Sequence, residues 1–74
     1  MNDIKKETRS RARLLRGLTN VLQLDADYIW DDSNRYDPIY LTESIAEAKS
    51  TVQQITDCVM ELEYLLYLAK REES

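Results

Sequence analysis

Among side chains that could do chemistry, this sequence contains carboxylates, tyrosines and one thiol, Cys58, but no histidine. Histidine is the commonest metal ligand and the commonest general base near neutral pH. The sequence also shows no glycine-rich phosphate loop and no nucleophile flanked by a base. We therefore expect a protein that is not an enzyme and binds no cofactor.

Five aspartates lie close together in the middle of the chain and raise the question of a calcium site: Asp25, Asp27, Asp31, Asp32 and Asp37. A calcium-binding EF-hand loop needs a glycine at its sixth position for a sharp turn. No start within this segment supplies that glycine. We expect no metal site, and we interpret the aspartates as a solvated acidic turn.

Four aromatic residues surround the same aspartates: Tyr28, Trp30, Tyr36 and Tyr40. We expect them to close the end of the fold as a small cluster, with their hydroxyl and indole N–H groups reaching water. The alternative is a binding surface, because tryptophan and tyrosine dominate the hot spots of protein interfaces.

The elements that position these residues are helices, since one glycine and one proline among many Leu, Ala, Glu and Arg residues are typical of long helices. The hydrophobic spacing predicts a first helix over residues 3–31 and a second over residues 38–71, capped by Asp37. A polar loop, residues 32–37, joins them, and so short a connection makes the helices antiparallel neighbours. The predicted fold is all-α, a single coiled-coil-like hairpin domain over residues 1–74.

The second predicted helix carries the clearest pattern in the sequence. Apolar residues recur there at alternating spacings of four and three, as in a coiled-coil seam: Leu41, Ile45, Ala48, Val52, Ile55, Val59, Leu62, Leu66 and Ala69. This spacing predicts that these residues face the first helix.

Towards its C-terminal end, the second helix is apolar on more than one face, since further apolar residues lie beside the predicted seam or on other faces: Cys58, Met60, Tyr64, Leu65, Tyr67 and Leu68. A helix that packs against one neighbour needs only one apolar stripe. The surplus predicts a protein–protein interface. A chain of 74 residues also buries only a small core. We expect the hairpin to be completed by a partner chain or by a second copy.

Charge is divided unevenly along the chain. The first 20 residues carry six basic and two acidic side chains, and the remainder carries four basic and twelve acidic ones. In the predicted hairpin the basic segment lies along the acidic end of the second helix, with these residues opposite each other: Arg9 and Glu61, Arg13 and Asp57, Arg16 and Gln53. The alternative is a nucleic-acid-binding face, which the net charge of −4 disfavours.

The sequence contains no apolar run near the ~18 residues of a membrane span, and its N-terminal segment lacks the apolar core of a signal peptide. We expect no membrane association. The predicted location is the cytoplasm, with the thiol of Cys58 reduced.

The turn segment "NRYDPIY" and the second-helix segment "SIAEAKSTVQQITDCVMELEYLLY" together resemble the small co-chaperones of type III secretion needle subunits. The resemblance covers about residues 14–68. It implies a cytosolic virulence function, in which the hairpin joins a larger helical-repeat chaperone and the pair keeps a needle subunit soluble until export. It also implies a contact face drawn from both helices: Leu14, Leu18, Tyr64, Leu65, Tyr67 and Leu68.

Two other families share parts of the pattern. The Rop family of plasmid copy-number regulators, homodimeric hairpins that bind RNA, is similar in size and seam, and Arg9, Arg13 and Arg16 would form the basic face. Needle and rod subunits are hairpins with an Asp-Pro near the turn, as in "YDPIY". The charged end "AKREES" argues against a polymerising subunit.

Overall fold

A computed structural model describes residues 2–73 of the chain, with side chains over residues 3–72. It contains two α-helices, α1 (Asn2–Arg35) and α2 (Pro38–Glu73). The two helices lie antiparallel in a rod of 56 × 14 × 12 Å. The predicted all-α hairpin is therefore confirmed.

The turn between the helices consists of residues 36 and 37, because α1 continues through Arg35 beyond the predicted end at residue 31. Tyr36 ends α1 in the left-handed conformation, with φ of 49°. Its N–H donates to the carbonyl of Ser33 at 3.2 Å, and the N–H of Asp37 donates to the carbonyl of Asp32 at 3.3 Å. These two hydrogen bonds form a Schellman motif, which satisfies the last carbonyls of a helix.

The start of α2 follows the prediction. Asp37 accepts hydrogen bonds at Oδ1 from the backbone N–H of Ile39 at 3.1 Å and of Tyr40 at 3.4 Å. Pro38 occupies the first helical position, where no N–H is needed. The predicted capping role of Asp37 is confirmed.

The contact between the helices contains polar as well as apolar residues. The described part of the chain has three buried residues, Asp25, Thr51 and Cys58. Thr51 Oγ1 donates to Asp25 Oδ2 at 2.7 Å, and Ser44 Oγ donates to Asp32 Oδ2 at 2.6 Å. Both hydrogen bonds join α1 to α2 at interior positions, so polar pairs help to set how the helices face each other.

The predicted seam of α2 is wrong at four positions: Ile45, Val52, Val59 and Leu66, which are 40% to 56% exposed. The residue immediately before each of them lies at the helix contact instead: Ser44, Thr51, Cys58 and Leu65. The physical reason is the polar pairing, because the hydroxyls of Ser44 and Thr51 reach carboxylates of α1 only when α2 is turned towards them. The other predicted seam residues remain at least half-buried: Leu41, Ala48, Ile55, Leu62 and Ala69.

The alignment of the two helices also differs from the prediction, because the longer α1 moves each residue along its neighbour. Arg11 Nε pairs with Glu61 Oε2 at 2.7 Å. Among the described side chains, none of the predicted opposite pairs forms an ion pair or hydrogen bond: Arg9 and Glu61, Arg13 and Asp57, Arg16 and Gln53. Gln53 Nε2 instead donates to Asp57 Oδ1 on its own helix at 3.0 Å.

Candidate protein-binding surfaces

The hairpin exposes more surface than a compact protein of its mass. Its accessible area is 6279 Å². A compact monomer of 8.7 kDa exposes about 4,700 Å². The excess arises because two helices lying side by side leave most of each helix surface in water. The apolar residues on those outer faces are therefore available for contact.

The first exposed apolar surface is a row on α2, which we call the α2 row: Ile45, Val52, Val59 and Leu66. Its members recur every seven residues, so they lie along one side of the helix over about 31 Å. On α1, small exposed residues hold the matching positions of the same side: Ala12, Thr19 and Ala26. This side of the hairpin therefore places large apolar side chains beside small ones.

A groove of 470 Å³ lies at the open end of the hairpin, where the α2 row ends. Ile4, Leu62 and Leu65 contribute apolar lining, and Lys5 and Arg9 lie on the α1 side of the groove. Leu66 lines the same groove. Lys5 lies seven residues before Ala12, so both are on the same side of α1. Because Lys5 and Leu66 line the same groove, the small residues of α1 and the α2 row lie on one side of the hairpin.

The second exposed apolar surface lies on the opposite side of the hairpin, and we call it the α1 row: Leu14, Val21, Leu24 and Tyr28. Tyr28 lines a shallow pocket with Tyr40 and Glu47 of α2. Glu61 of α2 also borders this side of the hairpin, and its carboxylate forms an ion pair with Arg11. The α1 row thus borders acidic residues of α2, whereas the charged residues that line the groove beside the α2 row are Lys5, Arg9 and Glu72.

The aromatic residues around the turn do not form the predicted cluster. All four are 60% to 77% exposed: Tyr28, Trp30, Tyr36 and Tyr40. The reason is that α1 continues to Arg35, so Tyr28, Trp30 and Tyr40 project from helix sides, Tyr36 lies in the two-residue turn, and no loop covers them. A further aromatic pair lies on α2, where the rings of Tyr64 and Tyr67 stack with centroids 6.4 Å apart.

The structure separates the predicted contact residues into three groups. Leu14, Tyr64 and Tyr67 are exposed. Leu18, Leu65 and Leu68 are half-buried. Cys58 is buried, and its thiol donates to the carbonyl of Arg11 at 3.2 Å. Cys58 and Leu65, which the pattern placed beside the seam, thus lie at the contact between the helices.

Sequence reasoning missed Val21 and Leu24 as exposed residues, and it placed the whole α2 row inside. A signal for the correct assignment was present in the spacing of the polar residues. Asp25 and Asp32 are seven residues apart on α1, and Ser44 and Thr51 are seven apart on α2. Matching polar spacings on two neighbouring helices indicate a polar contact between them.

The basic residues of α1 form a strip on its outer side. Lys5, Lys6, Arg9 and Arg13 line one shallow depression there. Within the described part of the chain these four side chains make no ion pair, whereas Arg11 is paired with Glu61. The strip therefore leaves four positive charges together in solvent.

The described residues contain neither a cluster of metal ligands nor a membrane-spanning helix. No three carboxylate or thiol side chains in that part of the chain lie close enough to hold a metal ion. Over the same residues, neither helix has an apolar stretch long enough to cross a membrane. Comparison of the chain with protein-family models, with curated proteins and with solved structures found no match.

Proposed function

We propose that the chain is a non-catalytic protein-binding module that offers apolar rows on two opposite sides of a helical hairpin. The observation that supports this proposal is the inverted placement of residues: the α1 row and the α2 row are exposed, while Asp25 and Thr51 are buried between the helices. Apolar residues at heptad spacing are the surface against which other amphipathic helices pack. The pattern suits a helical assembly larger than one hairpin.

The family resemblance makes the proposal more specific, because it names the partner proteins and the process. In this finer form the hairpin acts in the cytoplasm, supports a larger helical chaperone, and helps it to keep a type III secretion needle subunit soluble. The α1 row is the candidate contact, because it includes Leu14 of the implied contact face and its members are 45% to 61% exposed. Glu47, beside that row, favours a partner helix that carries basic side chains.

Replacing Leu24 by aspartate tests the proposed contact. Leu24 is 58% exposed, so the new carboxylate stays in water in the free hairpin and becomes buried only in a complex. We expect the helical signal of the free chain to be unchanged and the affinity for a partner to fall by at least tenfold. The measurement is co-purification of the co-expressed chain, larger helical chaperone and needle subunit.

Gln23→Asp is the matched control, because it adds the same charge to the neighbouring residue outside the α1 row. The control should co-purify with its partners as the unchanged chain does. The finer proposal fails if the unchanged chain does not assemble with the two proteins, or if Leu24→Asp assembles equally well.

A second function is favoured by the basic strip on α1. Lys5, Lys6, Arg9 and Arg13 lie together on its outer side, and unpaired cations in a row are what the phosphate backbone of a nucleic acid contacts. In this alternative the hairpin is a homodimeric regulator that binds RNA through Arg9, Arg13 and Arg16.

Reversal of Arg13 and Arg16 to glutamate distinguishes the two functions. If the chain is a protein-binding module, we expect the reversal to leave its weak association with RNA almost unchanged, because the net charge of −4 already opposes binding. Fluorescence anisotropy with a labelled RNA stem-loop at several salt concentrations measures the effect. A salt-sensitive affinity that the reversal removes would establish the RNA-binding alternative.

A further inference from the structure

We propose that the α2 row is the contact between two copies of this chain, which associate as an antiparallel four-helix bundle with their turns at opposite ends. This inference is independent of the partner assigned to the α1 row, which lies on the other side of the hairpin. It follows from how the residues of this side match when they are set against a copy of themselves.

The α2 row is self-complementary about a two-fold axis. When the axis lies across the hairpin, level with the midpoint between Val52 and Val59, the α2 helices of the two copies pack antiparallel. Val52 then lies opposite Val59 of the second copy, and Ile45 lies opposite Leu66 of the second copy. Each exposed member of the row gains an apolar neighbour, which removes it from water.

The α1 helices meet about the same axis through small residues. Ala12 lies opposite Ala26 of the second copy, and Thr19 lies near the Thr19 of the second copy. All three are exposed in the single hairpin. Small side chains at these positions let the two α1 helices approach closely, so that the large residues of the α2 row can meet at the same time.

Both helices place the two-fold axis at the same level along the length of the hairpin. Arg11 contacts Glu61, and Asp25 contacts Thr51, so these pairs mark two levels of the hairpin. On α1, Thr19 lies close to midway between Arg11 and Asp25. On α2, the centre of the α2 row lies close to midway between Thr51 and Glu61. One axis therefore serves both helices without a shift between them.

Charges beside the α2 row match in this arrangement. Lys49 and Glu63 are exposed, and each lies three residues before a member of the row. The two-fold axis places Lys49 opposite Glu63 of the second copy, and the contact occurs twice. In the described part of one chain neither side chain has an ion-pair partner.

The distribution of acidic residues selects the antiparallel arrangement. The turn end of the hairpin carries these acidic residues: Asp27, Asp31, Asp32, Asp37 and Glu43. Two copies with their turns at the same end would bring both acidic sets together. With their turns at opposite ends, each acidic turn lies beside the open end of the other copy, where basic residues such as Lys5 and Arg9 accompany the acidic ones, so the two acidic sets stay apart and the repulsion is lower.

The same arrangement fills the groove at the open end. Trp30 is 67% exposed near the turn, on the α2-row side of α1. It comes opposite Arg9 of the second copy, which lines the groove, and an arginine over an indole ring is a favourable cation–π contact. Ile45 approaches the groove next to Leu66 of the second copy. A second copy thus accounts for an exposed tryptophan, a free arginine and an open apolar groove together.

The area of this side is sufficient for a stable dimer. The hairpin is 56 Å long and 14 Å wide, so one side offers about 800 Å² to a partner, as in a typical stable protein–protein interface. Covering that side also removes a large part of the excess accessible area of the single hairpin.

Light scattering over a dilution series, combined with charge exchange at Lys49 and Glu63, tests the proposal. We expect twice the mass of 8.7 kDa for the unchanged chain. Lys49→Glu and Glu63→Lys should each weaken the dimer about tenfold, because each puts like charges opposite each other at both of the symmetry-related contacts. The double variant should regain the original affinity. Within one helix these residues are about 21 Å apart, so the recovery can only come from contact between copies.

Lys6→Glu and Glu47→Lys are the matched controls, since they make the same charge changes away from the α2 row. A mass of one chain at every concentration overturns the proposal. A dimer in which the single variants behave as the controls, or in which the double variant is no better than the single ones, overturns it as well. Leu24→Asp should leave the dimer intact, so failure of the α1-row contact and failure of the dimer are distinguishable.

Discussion

Replacing Ile55 by aspartate should unfold the hairpin. Ile55 lies at the contact between α1 and α2 and is half-buried. Removing a buried Ile side chain costs about 2–5 kcal/mol, and burying a carboxylate without a partner adds a further cost. A chain of 74 residues has a total stability of roughly 4–11 kcal/mol. Circular dichroism at several urea concentrations should show loss of the helical signal or a transition moved close to zero urea.

Ile45→Asp is the matched control, because it makes the same change on the same helix at a position that is 50% exposed. We expect this variant to stay helical and to lose only the stabilisation that a second copy supplies. The heptad pattern alone puts both residues in one seam and predicts equal damage from the two changes. Equal unfolding of the two variants would therefore contradict the orientation of α2 in the structure.

The helices and the start of α2 could be predicted from the sequence because each depends on local interactions. Helix-forming composition and apolar spacing act within one segment. Asp37 and Pro38 act on the first turn of the helix that they begin. The antiparallel arrangement then follows from the short connection alone.

The end of α1 could not be predicted because its stop signal is unusual. Helices commonly end at a glycine in the left-handed conformation, and here the residue in that conformation is Tyr36. The polar residues from Asp31 to Asn34 suggested a loop, yet Ser33 Oγ donates to the carbonyl of Trp30 within the helix. An error of four residues in the helix end shifted every predicted pair between the helices.

The orientation of α2 could not be read from its own sequence, because α2 offers two overlapping heptad patterns. One contains Ile45, Val52 and Val59, and the other contains Ser44, Thr51 and Cys58 at the preceding positions. Hydrophobicity favours the first pattern. The structure adopts the second because Asp25 and Asp32 on α1 accept hydrogen bonds from Thr51 and Ser44. The prediction therefore placed the exposed α2 row at the helix contact, one residue along the helix from the residues that lie there.

The buried pair of Asp25 and Thr51 gives the second large effect. These residues are 5% and 4% exposed, and the Thr51 hydroxyl donates to Asp25 Oδ2 at 2.7 Å. Thr51→Val keeps the shape of the side chain and removes the donor, so the Asp25 carboxylate stays buried with its hydrogen bond lost. We expect a loss of about 1–3 kcal/mol in the free energy of unfolding. Urea denaturation of the variant and of the unchanged chain measures the difference.

Thr56→Val provides the control, since Thr56 Oγ1 donates to the carbonyl of Val52 on its own exposed helix face at 3.0 Å. Its effect should be within about 0.5 kcal/mol. The double variant Asp25→Leu with Thr51→Val should recover the stability that Thr51→Val loses, because an apolar pair in a buried site needs no hydrogen bond. It should also weaken the preference of α2 for its present orientation, because Ile45 and Val52 can then compete with Ser44 and Thr51 for the helix contact.

Hydrogen exchange of the backbone amides would detect that change as lower protection along α2 at unchanged or higher stability. If Thr51→Val is as stable as the unchanged chain, the hydrogen bond to Asp25 does not hold α2 in place. The exposure of the α2 row would then require another cause. If the single variant is destabilised and the double variant is stable but less protected, the polar pair serves to keep the apolar row outside, where a second chain can reach it.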